Sequence, residues 1–220
     1  MPLDEYARIL YRRGWILALT AILTAVTAFV FSRLQTPIYK STIYVLVQPA
    51  RTDFGLTQSA KILLRSYVAW MDTDNRARDA IDSLQMDKEP QALRGDVTIA
   101  SDESRFVIQV DVKNENGDLA NDIAQKYADL FVQWRNDENQ KQRKEDRVDA
   151  VILDAPRYAQ DSPKTAINTV AGAVLGLLLG GVIVFILEYL ESSVIRSAAD
   201  IERQFALPVL GAIPAAERRK

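Results

Sequence analysis

The chain has 220 residues, a formal net charge of −2 and neither cysteine nor histidine. This charge balance argues against nucleic-acid binding, which usually needs a basic surplus. The two missing residue types exclude disulfides and thiol catalysis and remove the commonest metal ligand and general base. We therefore expect neither a metal nor a cofactor.

The first predicted element is a membrane-spanning helix. Residues 14–31 contain no ionisable side chain, and as a helix they would cover about 27 Å. We predict a cytoplasmic tail over residues 1–13 and a span over residues 14–34. A cleaved signal peptide fits less well, because the apolar stretch exceeds roughly 7–15 residues and has no A-x-A cleavage site.

A second uncharged stretch, residues 165–187, would cover roughly 34 Å as a helix and predicts a second span. Short segments next to membrane spans carry an excess of Lys and Arg when they lie on the cytoplasmic side of the membrane. Arg12 and Arg13 lie next to the first span, and further basic residues follow the second. We expect both termini, including residues 188–220, on the cytoplasmic side of the inner or plasma membrane.

Both spans carry small residues on a single helical stripe. Helices in lipid associate by close approach at such faces. We predict that the stripes pack helix on helix, within one chain or between the chains of an oligomer; the alternative is a simple anchor. The predicted packing residues are Ala18, Ala21, Ala25, Ala28, Gly172, Gly176 and Gly180.

Residues 35–164 are predicted to form an external α/β domain, a small mixed sheet with helices. Residues 36–49 are rich in Tyr, Ile, Val and Thr and predict a strand. Apolar residues at helical spacing between Leu56 and Met71 predict a helix, followed by another over residues 77–84. Residues 97–99 and 106–112 predict a hairpin.

A long helix is predicted next, with Asp118 near its cap and an apolar face from Leu119 to Trp134. Residues 135–147 are almost wholly charged or amide. This part is expected either to project into solvent or to pack on neighbouring subunits through polar contacts.

A short returning strand is predicted at residues 151–153. Pro156 and Pro163 then predict a stiff, extended lead into the second span. Together with Arg12 and Arg13, these prolines are predicted to lie close to the membrane.

No feature of the external segment predicts catalysis. Its carboxylates can all be interpreted as solvated helix or turn positions, and the sequence has no G-x-x-x-x-G-K-[ST] phosphate loop. External aromatics such as Trp70 could stack on sugar rings, although Trp70 lies close to the apolar helix face and is more often a core residue.

The tail contains an extended apolar peptide bracketed by Pro208 and Pro214. Such a peptide cannot bury itself, so docking into the groove or sheet edge of a partner is its natural use. The alternative is a flap that lies on the lipid headgroups.

Several of these segments together resemble the Wzz-type chain-length determinants, the polysaccharide co-polymerases. The resemblance is carried by DEYARILYRR at residues 4–13, the Gly-rich second span, EYLE at residues 188–191 and ADIERQFALPVLGAIP at residues 199–214. It implies a ring-like membrane oligomer that catalyses nothing itself. It further implies control of the length or export of a capsule or exopolysaccharide, in contact with a polymerase and a lipid-linked polysaccharide.

The short external domain and short tail resemble the type that works with a separate tyrosine autokinase. Since no kinase domain follows the L-P-V-L-G-x-I-P segment, the resemblance implies that the tail docks and activates a partner kinase. The implied docking residues are Pro208, Val209, Leu210, Gly211, Ile213 and Pro214.

Two other functions are compatible with the sequence. A two-span receptor would bind a small ligand through its external domain and relay a shift through the spans. A membrane-tethered glycan-processing enzyme would use a pair of carboxylates.

Overall fold

The computed structural model describes residues 3–50 and 54–192, which form two compact units. One unit contains the long helices at either end of the described chain, and the other is Ser32–Thr165. In chain order the elements are α1 (Leu3–Leu34), β1 (Ile38–Pro49), α2 (Phe54–Met71), α3 (Asp74–Leu84), α4 (Pro90–Asp96), β2 (Val97–Asp102), β3 (Val107–Asn114), α5 (Gly117–Gln140), a 3₁₀ turn (Lys144–Asp146), β4 (Val148–Ile152), β5 (Arg157–Ser162) and α6 (Thr165–Ser192).

Helices α1 and α6 are long and apolar enough to cross a membrane. Their apolar portions are Tyr11–Leu34, with a mean hydropathy of 2.1, and Thr165–Glu191, with a mean hydropathy of 2.8. Most apolar side chains of both helices point away from the protein, as is typical of surfaces that face lipid rather than a protein core.

The second unit is built on a sheet centred on β1. Strand β3 pairs along one side of β1 and β2 pairs with β3, whereas β4 and β5 share the other side of β1. Every described pairing is antiparallel. The predicted hairpin of β2 and β3 is confirmed, with its turn at residues 103–106, where Phe106 adopts a positive φ of 56°.

Period-two burial explains which face of the sheet is covered. Residues 41, 43, 45 and 47 of β1 are all buried, while their neighbours are only partly so. Helices α2 and α5 cover this face, and Ile123, Tyr127 and Phe131 of α5 enter the same core. The predicted apolar face of the long helix is therefore confirmed, and so is the predicted fold class.

Two local predictions are wrong, and one helix was not predicted. Asn116, not Asp118, caps α5, because its side chain accepts hydrogen bonds from the backbone N–H groups of Asp118 and Leu119. Helix α4 was not predicted. The segment between Pro156 and Pro163 is not merely a stiff lead, because β5 lies within it and pairs with β1.

The prediction for residues 135–147 is wrong in part. Helix α5 ends at Gln140, and Arg135 and Asn139 are buried within their own domain, whereas most other residues of this segment are exposed. The returning strand β4 begins at Val148, three residues earlier than predicted, and meets the side chains of Arg135 and Asn139. Packing of the segment on neighbouring subunits stays a prediction.

Candidate functional site: the paired spans and the external face

Glycines of α6 allow very close approach to α1. A Cβ atom built on Gly172 would lie 2.6 Å from the Cβ of Ala28. One built on Gly176 would overlap the hydroxyl of Thr24 and lie 2.7 Å from the Cα of Ala21. Because these distances are shorter than van der Waals contact, no larger residue fits without moving the helices apart.

The alanine stripe of α1 faces these glycines only in part. Ala21, Ala25 and Ala28 contact or approach the glycine stripe, whereas Ala18 is exposed. The role of the stripes in assembly stays a prediction.

Two threonines that the sequence analysis missed complete this face. Thr20 lies against Gly180 and Thr24 against Gly176. Their hydroxyls donate to carbonyl oxygens of their own helix, Thr20 to Ile16 at 2.9 Å and Thr24 to Thr20 at 2.8 Å. Both polar groups are thereby satisfied without a partner on the other helix. The four-residue spacing of these threonines, which lie among the alanines of the stripe, could have identified them from the sequence.

Four charged side chains link the beginning of α1 to the end of α6. Arg12 donates to both carboxylate oxygens of Glu191, at 2.5 and 2.6 Å. Arg13 also donates to Glu191, and its Nε lies 3.1 Å from Glu188. The beginning of the first apolar helix and the end of the second therefore lie at the same end of an antiparallel pair. Sequence analysis placed the two arginines near the membrane but did not identify their acidic partners.

The face of the sheet opposite α2 and α5 carries a hydrogen-bonded carboxylate. Asp111 accepts from Thr42 at 2.6 Å and from Gln109 at 2.9 Å, and Lys40 lies 2.8 Å away. Burial alone would raise the pKa of Asp111, but these donors outweigh it and hold the pKa below its ordinary value. The carboxylate therefore stays ionised and serves as a cross-strand anchor, which does not fit a general acid.

Trp70 belongs to the core rather than to a sugar platform. Its ring stacks on Trp134 at 4.3 Å and packs near Phe131, with the guanidinium of Arg76 over the indole. The indole is therefore engaged by side chains of the protein itself.

The remaining predicted site residues fall in different places. Pro163 and Pro156 flank β5, and Pro163 lines a cleft at the end of the domain where the chain joins the spans. The docking residues Pro208, Val209, Leu210, Gly211, Ile213 and Pro214 lie outside the described residues. Within residues 3–50 and 54–192, no group of three or more Asp or Glu side chains is placed to hold a metal ion.

Two apolar helices of membrane-spanning length, joined by an α/β domain, define a two-span membrane protein. The family model described as Wzz, chain length determinant protein, matches residues 1–90. The chain is similar to the capsular polysaccharide biosynthesis protein CpsC of Streptococcus pneumoniae, with 27% identity over 217 residues that cover 94% of this chain and 91% of CpsC. It is also similar to the probable capsular polysaccharide biosynthesis protein YwqC of Bacillus subtilis (strain 168), with 25% identity over 211 residues that cover 90% of this chain and 81% of YwqC. The chain is therefore similar to the Wzz chain-length determinants, as its motifs predicted.

Proposed function

We propose that this protein is a membrane scaffold that regulates the chain length or export of a capsule or exopolysaccharide and activates a cytoplasmic tyrosine autokinase. The observation that carries the first part is the match of residues 1–90 to the Wzz family model, together with two relatives named for capsular polysaccharide biosynthesis that match almost the whole chain. The scaffold catalyses nothing itself. It organises a polymerase and a lipid-linked polysaccharide around a ring of identical subunits.

The topology of the proposal has both termini in the cytoplasm and the domain of residues 35–164 outside. The contacts of Arg12 and Arg13 with Glu188 and Glu191 support a hairpin, because they bring both tails to one end of the helix pair. The basic residues of the tails favour the cytoplasm for that end.

Kinase activation is assigned to residues 208–214 of the cytoplasmic tail. The support is the proline-bracketed apolar peptide and its resemblance to the corresponding family segment. A peptide held extended by prolines loses little conformational entropy on docking, which favours its capture by a groove of the partner.

The test is a reconstitution of the full chain with a cytoplasmic tyrosine autokinase from the same organism. Truncation before Leu207 should abolish kinase autophosphorylation, whereas removal of residues 215–220 alone should preserve it. Full kinase activity after the longer truncation would refute the coupling. Polysaccharide length, measured on gels from cells that carry each truncation, tests the scaffold role separately.

A further inference from the structure

Charged side chains lie at one end of each apolar helical segment. Arg12 and Arg13 follow the first residue of one segment, Tyr11–Leu34, and Glu188 and Glu191 lie at the end of the other. Charged residues at such positions in a span are costly unless they are paired, and they commonly have a function. All four belong to the same compact unit, so their contacts are internal to it.

The two cations and the two anions of this cluster neutralise each other. Glu191 accepts hydrogen bonds from both arginines, from Arg12 at 2.5 and 2.6 Å. Arg13 also reaches Glu188, with 3.1 Å between its Nε and the carboxylate. The side chains of Arg13 and Glu191 are only 13% and 20% exposed, whereas that of Arg12 is 58% exposed. The cluster is therefore partly shielded from solvent and open on the side of Arg12.

The close packing of α1 and α6 stops short of these charges. A Cβ built on Gly180 would still lie 3.1 Å from the Cα of Leu17. A Cβ built on Gly181 or on Gly14 would meet no atom within 4 Å. In the next two turns of α6, Val184 alone is buried. Beyond this point the ion pairs are the main described contacts between the two helices.

Loss of the ion pairs would therefore leave little to keep these helix ends together. Lipid chains solvate apolar side chains as well as another helix does, so two apolar helix ends in a bilayer have no hydrophobic reason to associate. Ion pairs at a solvent-exposed helix end weaken with salt and with the loss of either charge. The tight glycine contacts near the middle of the pair need no such charges. The pair thus combines a fixed middle with an end whose closure depends on four side chains.

We propose that these four side chains form an ionic latch, and that the tail activates the kinase only while the latch is closed. The inference rests on the proposed kinase role and names its regulation. The proposed topology places this end of the pair in the cytoplasm, and the docking peptide of residues 208–214 follows Glu191 in the chain. Closure fixes the end of α6, to which that peptide is attached, beside α1, whereas opening releases it.

The first measurement is the separation of the helix ends in the full chain, reconstituted in nanodiscs of phosphatidylcholine and phosphatidylglycerol. Spin labels on cysteines introduced at Tyr11 and Phe185, which are 98% and 73% exposed, report on the latch end in a chain that has no cysteine of its own. Labels at Val26 and Val174, which are also exposed, report on the glycine-packed middle.

The test variant Glu188→Gln/Glu191→Gln removes both carboxylates of the latch. It should lower the ratio of closed to open ends by about tenfold, the effect of losing one charge-assisted hydrogen bond, and leave the middle distance unchanged. Arg13→Gln should have a similar effect alone but add little to the double variant, because its partners are then already gone. Arg78→Gln and Asp82→Asn, at exposed residues of the α/β domain, are charge controls that should change neither distance.

The second measurement is the autophosphorylation of the cytoplasmic tyrosine autokinase in the presence of each reconstituted variant. It should fall together with the closed fraction. Unchanged label distances in the latch variants would overturn the latch, and separated ends with full kinase activation would overturn its control of the tail. If the unsubstituted chain fails to activate the kinase, the proposed function is refuted, and the control of the tail with it; the label distances then decide the latch by themselves.

Discussion

Removal of the Asn139 side chain should destabilise the α/β domain, because one buried backbone group loses its hydrogen-bond partner. Asn139 is 5% exposed, and its Oδ1 accepts from the backbone N–H of Val148 at 3.2 Å and from Arg135 at 3.0 Å. Its Nδ2 donates to the carbonyl oxygen of Val148 at 3.0 Å. The side chain therefore joins the end of α5 to the start of β4.

The magnitude follows from what Asn139→Ala leaves unsatisfied. The carbonyl oxygen of Val148 keeps two donors, because Arg135 still donates to it from Nε and Nη2 at 3.3 and 3.1 Å. The buried N–H of Val148 loses its partner, and an unsatisfied buried donor costs about 1–3 kcal/mol. For a chain of this size a loss of 2 kcal/mol lowers the Tm by about 4–8 °C.

Asn136→Ala is the matched control, since Asn136 is exposed on the same helix. Both substitutions gain helix propensity of up to about 0.7 kcal/mol, so this contribution largely cancels when the two variants are compared. The difference in the free energy of unfolding then isolates the buried network.

Thermal unfolding of the detergent-solubilised chain, followed by the fluorescence of Trp70 and Trp134, measures this difference. If Asn139→Ala and Asn136→Ala unfold at the same temperature, the buried network contributes nothing to stability. The reasoning from unsatisfied groups would then be wrong.

Two further predictions concern the helix pair and a buried phenol. Gly176→Leu should force α1 and α6 apart and lower the Tm of the detergent-solubilised chain, because a Cβ at this position would overlap the hydroxyl of Thr24. Gly181→Leu is the control, since a Cβ at Gly181 would meet no atom within 4 Å, and equal Tm values for the two variants would contradict the packing. Burial raises the pKa of Tyr127 to about 12, and its hydroxyl has no hydrogen-bond partner. An unfolded tyrosine ionises near pH 10, so the folded state should lose stability as the pH rises from about 10 to about 12. Tyr127→Phe should remove this loss of stability at high pH and leave the Tm at neutral pH equal or higher. If the Tm of the variant still falls above about pH 10 to the same extent as that of the unsubstituted protein, the prediction is contradicted.

The family resemblance and the apolar elements were predictable because they depend on local sequence. Uncharged stretches of span length, alternating apolar residues in β3 and helical spacing in α5 are each visible within about twenty residues. Burial of Ile108, Val110 and Val112 follows from that alternation once one face of the sheet is covered.

The burial of the polar face of α5 was not predictable, because it depends on residues that are distant in the sequence. Arg135 and Asn139 resemble the solvated residues around them, and only the return of β4 beside the helix turns them into buried hydrogen-bonding partners. Likewise, β5 has a polar, exposed sequence, and its strand conformation comes from pairing with β1 more than a hundred residues earlier.

The residues of the candidate sites were likewise predictable only in part. The glycine and alanine stripes predict a close-packing face from the sequence. How the two helices meet decides that Thr20 and Thr24 oppose the glycines and that Ala18 is exposed. The arginines near the first span were identified, whereas Glu188 and Glu191 became their partners only through the antiparallel pairing.

The sequence by itself determined that two apolar helices flank an α/β domain, because hydropathy and periodicity are properties of neighbouring residues. Tertiary structure alone decided that Arg33 and Lys164, which are 131 positions apart, line one cleft, and that Asp161 in that cleft is neutralised by Lys113. The physical reason is that charge complementarity and burial depend on distances in space, which sequence separation does not encode.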